Sequence, residues 1–88
     1  MSAYGVEGGV PKNLSASGAI SLSPGTLLGF YVNSTSSGTI VLKDGGTGGA
    51  ALNGTITPAV GFHRFPATFQ TSAYATLGGT IDVTFFFA

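Results

Sequence analysis

Few side chains in this sequence could take part in catalysis. It contains one histidine, His63, as the candidate general base. The three carboxylates, Glu7, Asp44 and Asp82, are far apart in the sequence, whereas glycosidase-type acid–base chemistry needs two of them close together in space. No serine or threonine is marked as an activated nucleophile by an adjacent base. We therefore predict no catalytic residue and no enzymatic activity.

Metal and cofactor sites are equally poorly supplied with ligands. There is no cysteine, so thiolate ligation is excluded, and a metal would have to be held by His63 and the scattered carboxylates. The glycine-rich run at residues 44–49 lacks the Lys-Ser/Thr pair and the following helix of a phosphate-binding loop. We expect this run to be a loop tip, and we expect neither a metal nor a cofactor.

The charge content excludes several classes of partner. The 88 residues include 3 basic and 3 acidic side chains, and the formal net charge is +0. Nucleic-acid binding would need a basic stripe, and no segment is apolar for long enough to span a bilayer. The first residues lack the basic and apolar regions of a secretory signal. We expect synthesis in a cytoplasm, with neither nucleic acid nor membrane as a partner.

The polar surface of such a chain must consist mainly of Ser, Thr, Asn and Gly. Such a surface suits contact with identical neighbours, because no charge has to be desolvated there. A domain of this size buries only about 60% of the surface of its unfolded chain, and there is no disulfide to add stability. We therefore expect the protein to assemble with copies of itself.

One polar and aromatic cluster, Phe62-His63-Arg64-Phe65, is a candidate contact site. Arg64 could anchor a partner. The alternative is that both phenylalanines belong to the core while His63 and Arg64 face solvent. Phe65 breaks the alternation that Phe62 begins unless the strand contains a bulge. The full set of predicted interface residues is Tyr4, Val6, Val10, Leu27, Tyr31, Phe62, His63, Arg64, Phe65 and Phe86.

The elements that would position these residues are strands, and the clearest is the last, at residues 80–88. One face of this strand is apolar throughout and must be buried, since side chains alternate with period 2. The opposite face turns apolar at Phe86. A small domain rarely covers both faces of a sheet alone, so we expect another chain to complete the burial. The apolar face consists of Ile81, Val83, Phe85 and Phe87.

A second strong strand is predicted at residues 26–33. Its alternation assigns Leu28, Phe30 and Val32 to the core face and leaves Leu27 and Tyr31 on the other face, exposed or at an interface. Shorter alternating segments predict further strands at residues 15–22, 39–43 and 72–77.

Turn signals connect these strands. A polar loop at residues 33–38 and Gly78-Gly79 each predict a hairpin, and Asn53-Gly54 predicts another that pairs residues 50–52 with 55–57. Residues 1–14 have no sustained period and are predicted to form an extended arm. The fold class is therefore all-β. We expect residues 15–88 to form a single domain, either a small antiparallel, jelly-roll-like β-sandwich or a barrel.

Four segments carry a resemblance to a known group of proteins: residues 27–33, 38–45, 56–66 and 73–84. The sequences are LLGFYVN, GTIVLKDG, ITPAVGFHRFP and AYATLGGTIDVT, and together they resemble small structural proteins of tailed-bacteriophage virions. Some of these are head decoration (cement) proteins, and others belong to spikes or fibres. The resemblance implies a place in the virion, assembly as a homotrimer and no catalytic residue.

The sequence thus predicts a decoration protein that binds the major capsid lattice, or another virion protein, and stabilises the head. The alternative is a carbohydrate- or receptor-binding β module of a phage fibre or spike. That module would use Tyr31, Tyr74 and the Asn and Thr residues of loops.

Overall fold

The computed structural model describes residues 9–88 as six strands joined by short turns and loops, which confirms the all-β prediction. Two of the predicted interface residues, Tyr4 and Val6, lie outside this range. Within residues 9–88 no helix is long and apolar enough to cross a membrane. The strands are β1 (Val10–Leu14), β2 (Gly18–Ser21), β3 (Gly25–Asp44), β4 (Ala50–Ala51), β5 (Gly61–Phe69) and β6 (Ala73–Phe87).

All strand pairs are antiparallel, and β3 and β6 form the centre of the sheet. They pair with each other from Leu27↔Phe87 to Asp44↔Ala73. The free edge of β6 carries β1 and β2, and the free edge of β3 carries β5 and β4. Residues 10–14, predicted to be part of an extended arm, therefore lie in a strand that pairs with the last strand of the same chain.

The predicted hairpins at residues 33–38 and at Gly78-Gly79 are wrong. Residues 33–38 lie inside the 20-residue strand β3, and Gly78-Gly79 lies inside the 15-residue strand β6. Each pair of predicted strands is one continuous strand, because each half of β3 pairs with a half of β6. From Ala73 to Phe87 the buried residues are at odd-numbered positions on both sides of the glycines, as expected for one continuous strand.

Both central strands are bent. A straight strand of 20 residues would span about 66 Å at roughly 3.3 Å per residue, whereas the longest dimension of the molecule is 38 Å. The register of β3 against β6 shifts between Val32 and Ser34 and again between Ser36 and Thr39. Extra residues on one strand bend it and increase its twist. The bent sheet thus encloses one core between its two halves.

The core is a single apolar cluster without a buried charged or polar residue among those described. The predicted burial of the last strand is confirmed, since all four apolar residues of that face are buried. The core residues are Ile20, Leu27, Phe30, Val32, Ile40, Leu42, Phe69, Ala73, Ala75, Ile81, Val83, Phe85 and Phe87.

The faces predicted for the start of β3 are partly wrong. Leu27 is fully buried, although it was expected on the outer face, and Leu28 is only half-buried. The reason is a register shift between Leu27 and Gly29, which changes the alternation by one residue. A bulge does lie near Phe65, since three steps of β5, from Ala67 to Arg64, face two steps of β3, but the exposure of residues 62–68 alternates without a break.

The predicted Asn53-Gly54 hairpin is also wrong. A type I′ turn requires positive φ at both residues, and neither is among the described residues with positive φ. Instead β4 pairs with Lys43 and Asp44, and Ile56 bridges to Ile40, so both segments pair with β3. Between them the Asn53 side chain takes the place of a strand residue. Its Oδ1 accepts from Leu42 N at 2.9 Å, and its Nδ2 donates to Ile40 O at 3.3 Å.

Candidate interaction surface

The outer face of one half of the sheet brings together residues from four strands. In one row Thr84 of β6 lies between Asn13 of β1 and Tyr31 of β3, and Phe62 of β5 is next to Tyr31. In the adjacent row Phe86 lies between Pro11 and Gly29, and Arg64 follows Gly29. These positions alternate with the buried Val83, Phe85 and Phe30, so their side chains point away from the core.

Three aromatic residues on this face, Tyr31, Phe62 and Phe86, form what we call the aromatic patch. Phe62 is 57% exposed and Tyr31 43% exposed, and Phe86 is half-buried. The Phe62 and Phe86 rings are 6.2 Å apart at 57°, within the range of favourable tilted aromatic pairs. Gly29 leaves room for the Phe62 ring next to Phe86, because a Cβ at position 29 would lie 2.9 Å from Phe62 Cζ.

Beside the aromatic patch lies a polar group of four residues, Asn13, Asn33, Asp82 and Thr84, which we call the amide cluster. Asn13 Nδ2 donates to Asp82 Oδ1 at 2.7 Å and to Thr84 Oγ1 at 3.1 Å. Asn33 Nδ2 donates to the same two atoms, at 3.2 and 3.0 Å. Two asparagines on the strands that flank β6 thus hold one carboxylate and one hydroxyl between them.

The predicted cluster at residues 62–65 is divided between the two faces of the sheet. Phe62 and Arg64 are exposed on the outer face, and His63 and Phe65 are half-buried and contact the buried Phe30. The His63 ring stacks on Phe30 with centroids 5.3 Å apart. Its Nε2 lies 2.7 Å from Ala59 O, so that nitrogen carries the proton and donates. The alternative that both phenylalanines are core and that His63 and Arg64 face solvent is therefore wrong for Phe62 and His63, and contact of this cluster with a partner stays a prediction.

Two other predicted interface residues within the described range, Leu27 and Val10, do not join this face. Leu27 is fully buried inside the chain, so it has no surface to offer a partner. Val10 is 43% exposed on β1, where it pairs with Phe87. Tyr74 lies in the other half of the sheet, opposite Lys43, and so it does not extend the face that contains Tyr31.

Asp44, one of the few carboxylates, has a structural role at the turn between β5 and β6. Its side chain accepts hydrogen bonds from the backbone N–H groups of Gln70 at 2.8 Å, Thr71 at 2.9 Å and Ser72 at 3.3 Å. These bonds favour the ionised form, so they lower the pKa of Asp44 from its ordinary value of 3.8, with Gln70 the largest contributor.

The arrangement on the outer face supports binding. In the part of the chain from Gly9 onward, no three His, Asp or Glu side chains are grouped as metal ligands. Four residues of this face, Tyr31, Phe62, Arg64 and Phe86, were predicted from the sequence as interface residues, whereas the amide cluster was not. The sequence pattern that pointed to the amide cluster was the polar alternation of Thr80, Asp82 and Thr84 on the last strand. This pattern marks an outer face but does not show which asparagines flank it.

No protein-family model matches the chain, and no curated protein or solved structure matches it at a significant level. The resemblance to bacteriophage virion proteins therefore stays a prediction from the sequence.

Proposed function

We propose that this chain is a non-catalytic structural protein of a tailed-bacteriophage particle. In this proposal it assembles with copies of itself, as a homotrimer, and decorates the head by docking on the major capsid protein. The aromatic patch is the contact surface between copies, with Arg64 at its edge, and the trimer binds the capsid protein through other surfaces. The place in the virion comes from the sequence resemblance, and the contact surface between copies comes from the geometry of the outer face.

The observation that carries the proposal is the exposure of two neighbouring aromatic rings, Tyr31 and Phe62, on the outer face of the sheet. Exposed apolar patches of this kind mark interaction sites, and aromatic residues and arginine supply most of the binding energy of protein interfaces. Full burial of a phenylalanine is worth about 1.5–3 kcal/mol. Because Phe62 is 57% exposed in the single chain, roughly half of that remains to be gained from a partner.

Charge is consistent with the same use of the surface. Arg64 is the only charged side chain in the two rows that contain the aromatic patch, and Asp82 of the amide cluster lies in the next row, opposite Ser34. A planar guanidinium at the edge of an apolar patch can make hydrogen bonds in the polar rim of an interface. Its counterpart on a partner would be a carboxylate or a backbone carbonyl group.

The test is the solution mass of the full chain by light scattering, measured over a range of concentrations for the wild type, Phe62→Ser and Leu22→Ser. Leu22 is a matched control because it is 86% exposed and lies in the turn before β3, outside the outer face. We expect a wild-type trimer that Leu22→Ser preserves and Phe62→Ser dissociates.

Two results would contradict the proposal in different ways. A wild-type monomer at every concentration would exclude self-assembly of the isolated chain. A wild-type trimer that Phe62→Ser leaves intact would exclude the aromatic patch as the contact between copies. Co-sedimentation of the monomer with phage heads, abolished by Phe62→Ser, would assign the patch to the capsid protein instead.

A further inference from the structure

The amide cluster has hydrogen-bonding capacity that the fold does not use. The Nδ2 groups of Asn13 and Asn33 both point at Asp82 and Thr84, so the carbonyl oxygens of the two amides point elsewhere. Asp82 accepts both bonds through Oδ1, and within residues 9–88 no bond to its Oδ2 is found. Thr84 accepts through Oγ1 and keeps its hydroxyl proton to donate.

These unused groups are mainly acceptors, and the structure holds them in fixed positions. Each asparagine is fixed by two shared bonds to β6, so little conformational entropy would be lost on binding a ligand. The ligand must bring several hydroxyl or N–H donors on a small scaffold. A cation does not fit as well, because N–H groups and not carbonyl oxygens surround Asp82.

An aromatic ring lies next to these acceptors. Tyr31 is the cross-strand neighbour of Thr84 and is 43% exposed. Phe62 lies on the far side of Tyr31. With strands about 4.8 Å apart, the row from Asn13 through Thr84 and Tyr31 to Phe62 is roughly 14 Å long. Polar groups are at one end of this row and apolar rings at the other.

We propose that the amide cluster and the Tyr31 ring form a binding site for a neutral saccharide. A pyranose ring presents adjacent hydroxyl groups, which donate and accept, and an apolar face of C–H groups, which packs on an aromatic ring. The only charge in the cluster is the Asp82 carboxylate, which repels sialylated or sulfated sugars. A protein partner would have to desolvate that carboxylate, whereas a shallow sugar site can leave it partly hydrated.

This inference does not depend on contact between copies through the aromatic patch. The two proposals share Tyr31 but otherwise use different residues of one face, and they respond to different substitutions. Asn33→Ala removes two hydrogen bonds of the amide cluster and leaves Phe62 and Phe86 unchanged, so it should not alter the oligomer. Phe62→Ser should change saccharide affinity by no more than a few-fold.

The test is an NMR titration of the full, ¹⁵N-labelled chain, in which the side-chain amide signals of Asn13 and Asn33 report directly on the site. The probes are neutral trisaccharides of glucose, galactose, mannose and N-acetylglucosamine, with a sialylated and a sulfated trisaccharide for comparison. We expect at least one neutral sugar to shift both side-chain signals in a saturable way, and the charged sugars to shift neither. Titration to about 10 mM detects a Kd of roughly 1 mM.

Variants then separate the ring from the amides. Tyr31→Ala and Asn33→Ala should each weaken binding about ten-fold or more, equivalent to about 1.4 kcal/mol. Tyr31→Phe keeps the ring and should bind within a few-fold of the wild type. Tyr74→Ala, in the other half of the sheet, should have no effect. Absence of any shift with all sugars, or binding that survives both Tyr31→Ala and Asn33→Ala, would overturn the proposal.

Discussion

Gly38 offers a direct test of the bent, continuous strands. Ser37 and Gly38 of β3 face the single residue Gly79 of β6, since Ser36 pairs with Thr80 and Thr39 with Gly78. A Cβ at position 38 would overlap Ile81 Cβ and would lie 2.8 Å from Thr35 Oγ1 and 3.0 Å from Thr80 O. Carbon atoms pack best at about 3.5–4.0 Å. The substitution Gly38→Ala therefore requires the two strands to separate by about an ångström.

The expected cost has two parts. Overfilling a well-packed region costs about 1–3 kcal/mol. The new Cβ also crowds the Thr35 hydroxyl and so weakens the hydrogen bond that Gly38 N donates to Thr35 Oγ1, 3.0 Å long in the native chain, which is worth about 1 kcal/mol. The total of roughly 2–4 kcal/mol corresponds to a melting temperature lower by on the order of 10–30 °C for a domain of this size.

The assay is thermal unfolding followed by far-ultraviolet circular dichroism, with Gly48→Ala and Gly54→Ala as controls. A Cβ at either control position meets nothing within 4 Å, and neither residue has a positive φ. Both controls should melt at or slightly above the wild-type temperature, because alanine restricts the unfolded chain and stabilises by up to about 1 kcal/mol. If residues 33–38 formed a solvated loop, Gly38→Ala would behave like the controls. That result would refute the bent-strand geometry.

Three further predictions concern stability. Asp44→Ala should lower the melting temperature at neutral pH. Because the native pKa of Asp44 lies below its ordinary 3.8, the stabilisation by this carboxylate is complete above pH 3.8 and is lost as the pH falls below it. The melting temperatures of the wild type and the variant should therefore converge in acid. Phe85→Ala, at a fully buried position, should cost about 3–5 kcal/mol in urea denaturation, whereas Phe62→Ala, at a 57% exposed position, should cost less than about 1 kcal/mol. Asn53→Ala should lower the free energy of unfolding by about 1–3 kcal/mol. It should also accelerate hydrogen exchange at the Leu42 amide, which loses its acceptor. An unchanged exchange rate would contradict the strand-like role of the Asn53 side chain.

Much of the core could be predicted from the sequence because the alternation of the last strand is strong. Val83, Phe85 and their odd-numbered neighbours are buried as expected. The hairpins were wrong because Gly78-Gly79 is a strong local turn signal. The sequence did contain contrary information. A two-residue hairpin would place Leu77 and Thr80 on the same face and so shift the apolar positions from odd to even, whereas they stay odd from Ala73 onward.

The interaction surface was less predictable, for a different reason. Each of its residues lies on a strand, and alternation can assign a strand residue to one face or the other. Which strands are neighbours, and in what register, depends on pairing over long sequence distances, such as Asn13↔Thr84 and Tyr31↔Thr84. Three bulges in β3 change the register further. The amide cluster exists only once that register is set.

The position of β6 has a consequence for how the chain acquires its fold during synthesis. This strand lies between β1 and β3, yet the ribosome makes it after every strand with which it pairs. Before it emerges, β1 and β2 have no partner among the other strands of residues 9–72, and of the pairings described there β3 can form those with β4 and β5. Such distant pairing is slow. The sheet therefore closes by insertion of the final segment into its centre, and a ribosome stalled before Ala73 would hold a chain whose N-terminal strands are still unpaired.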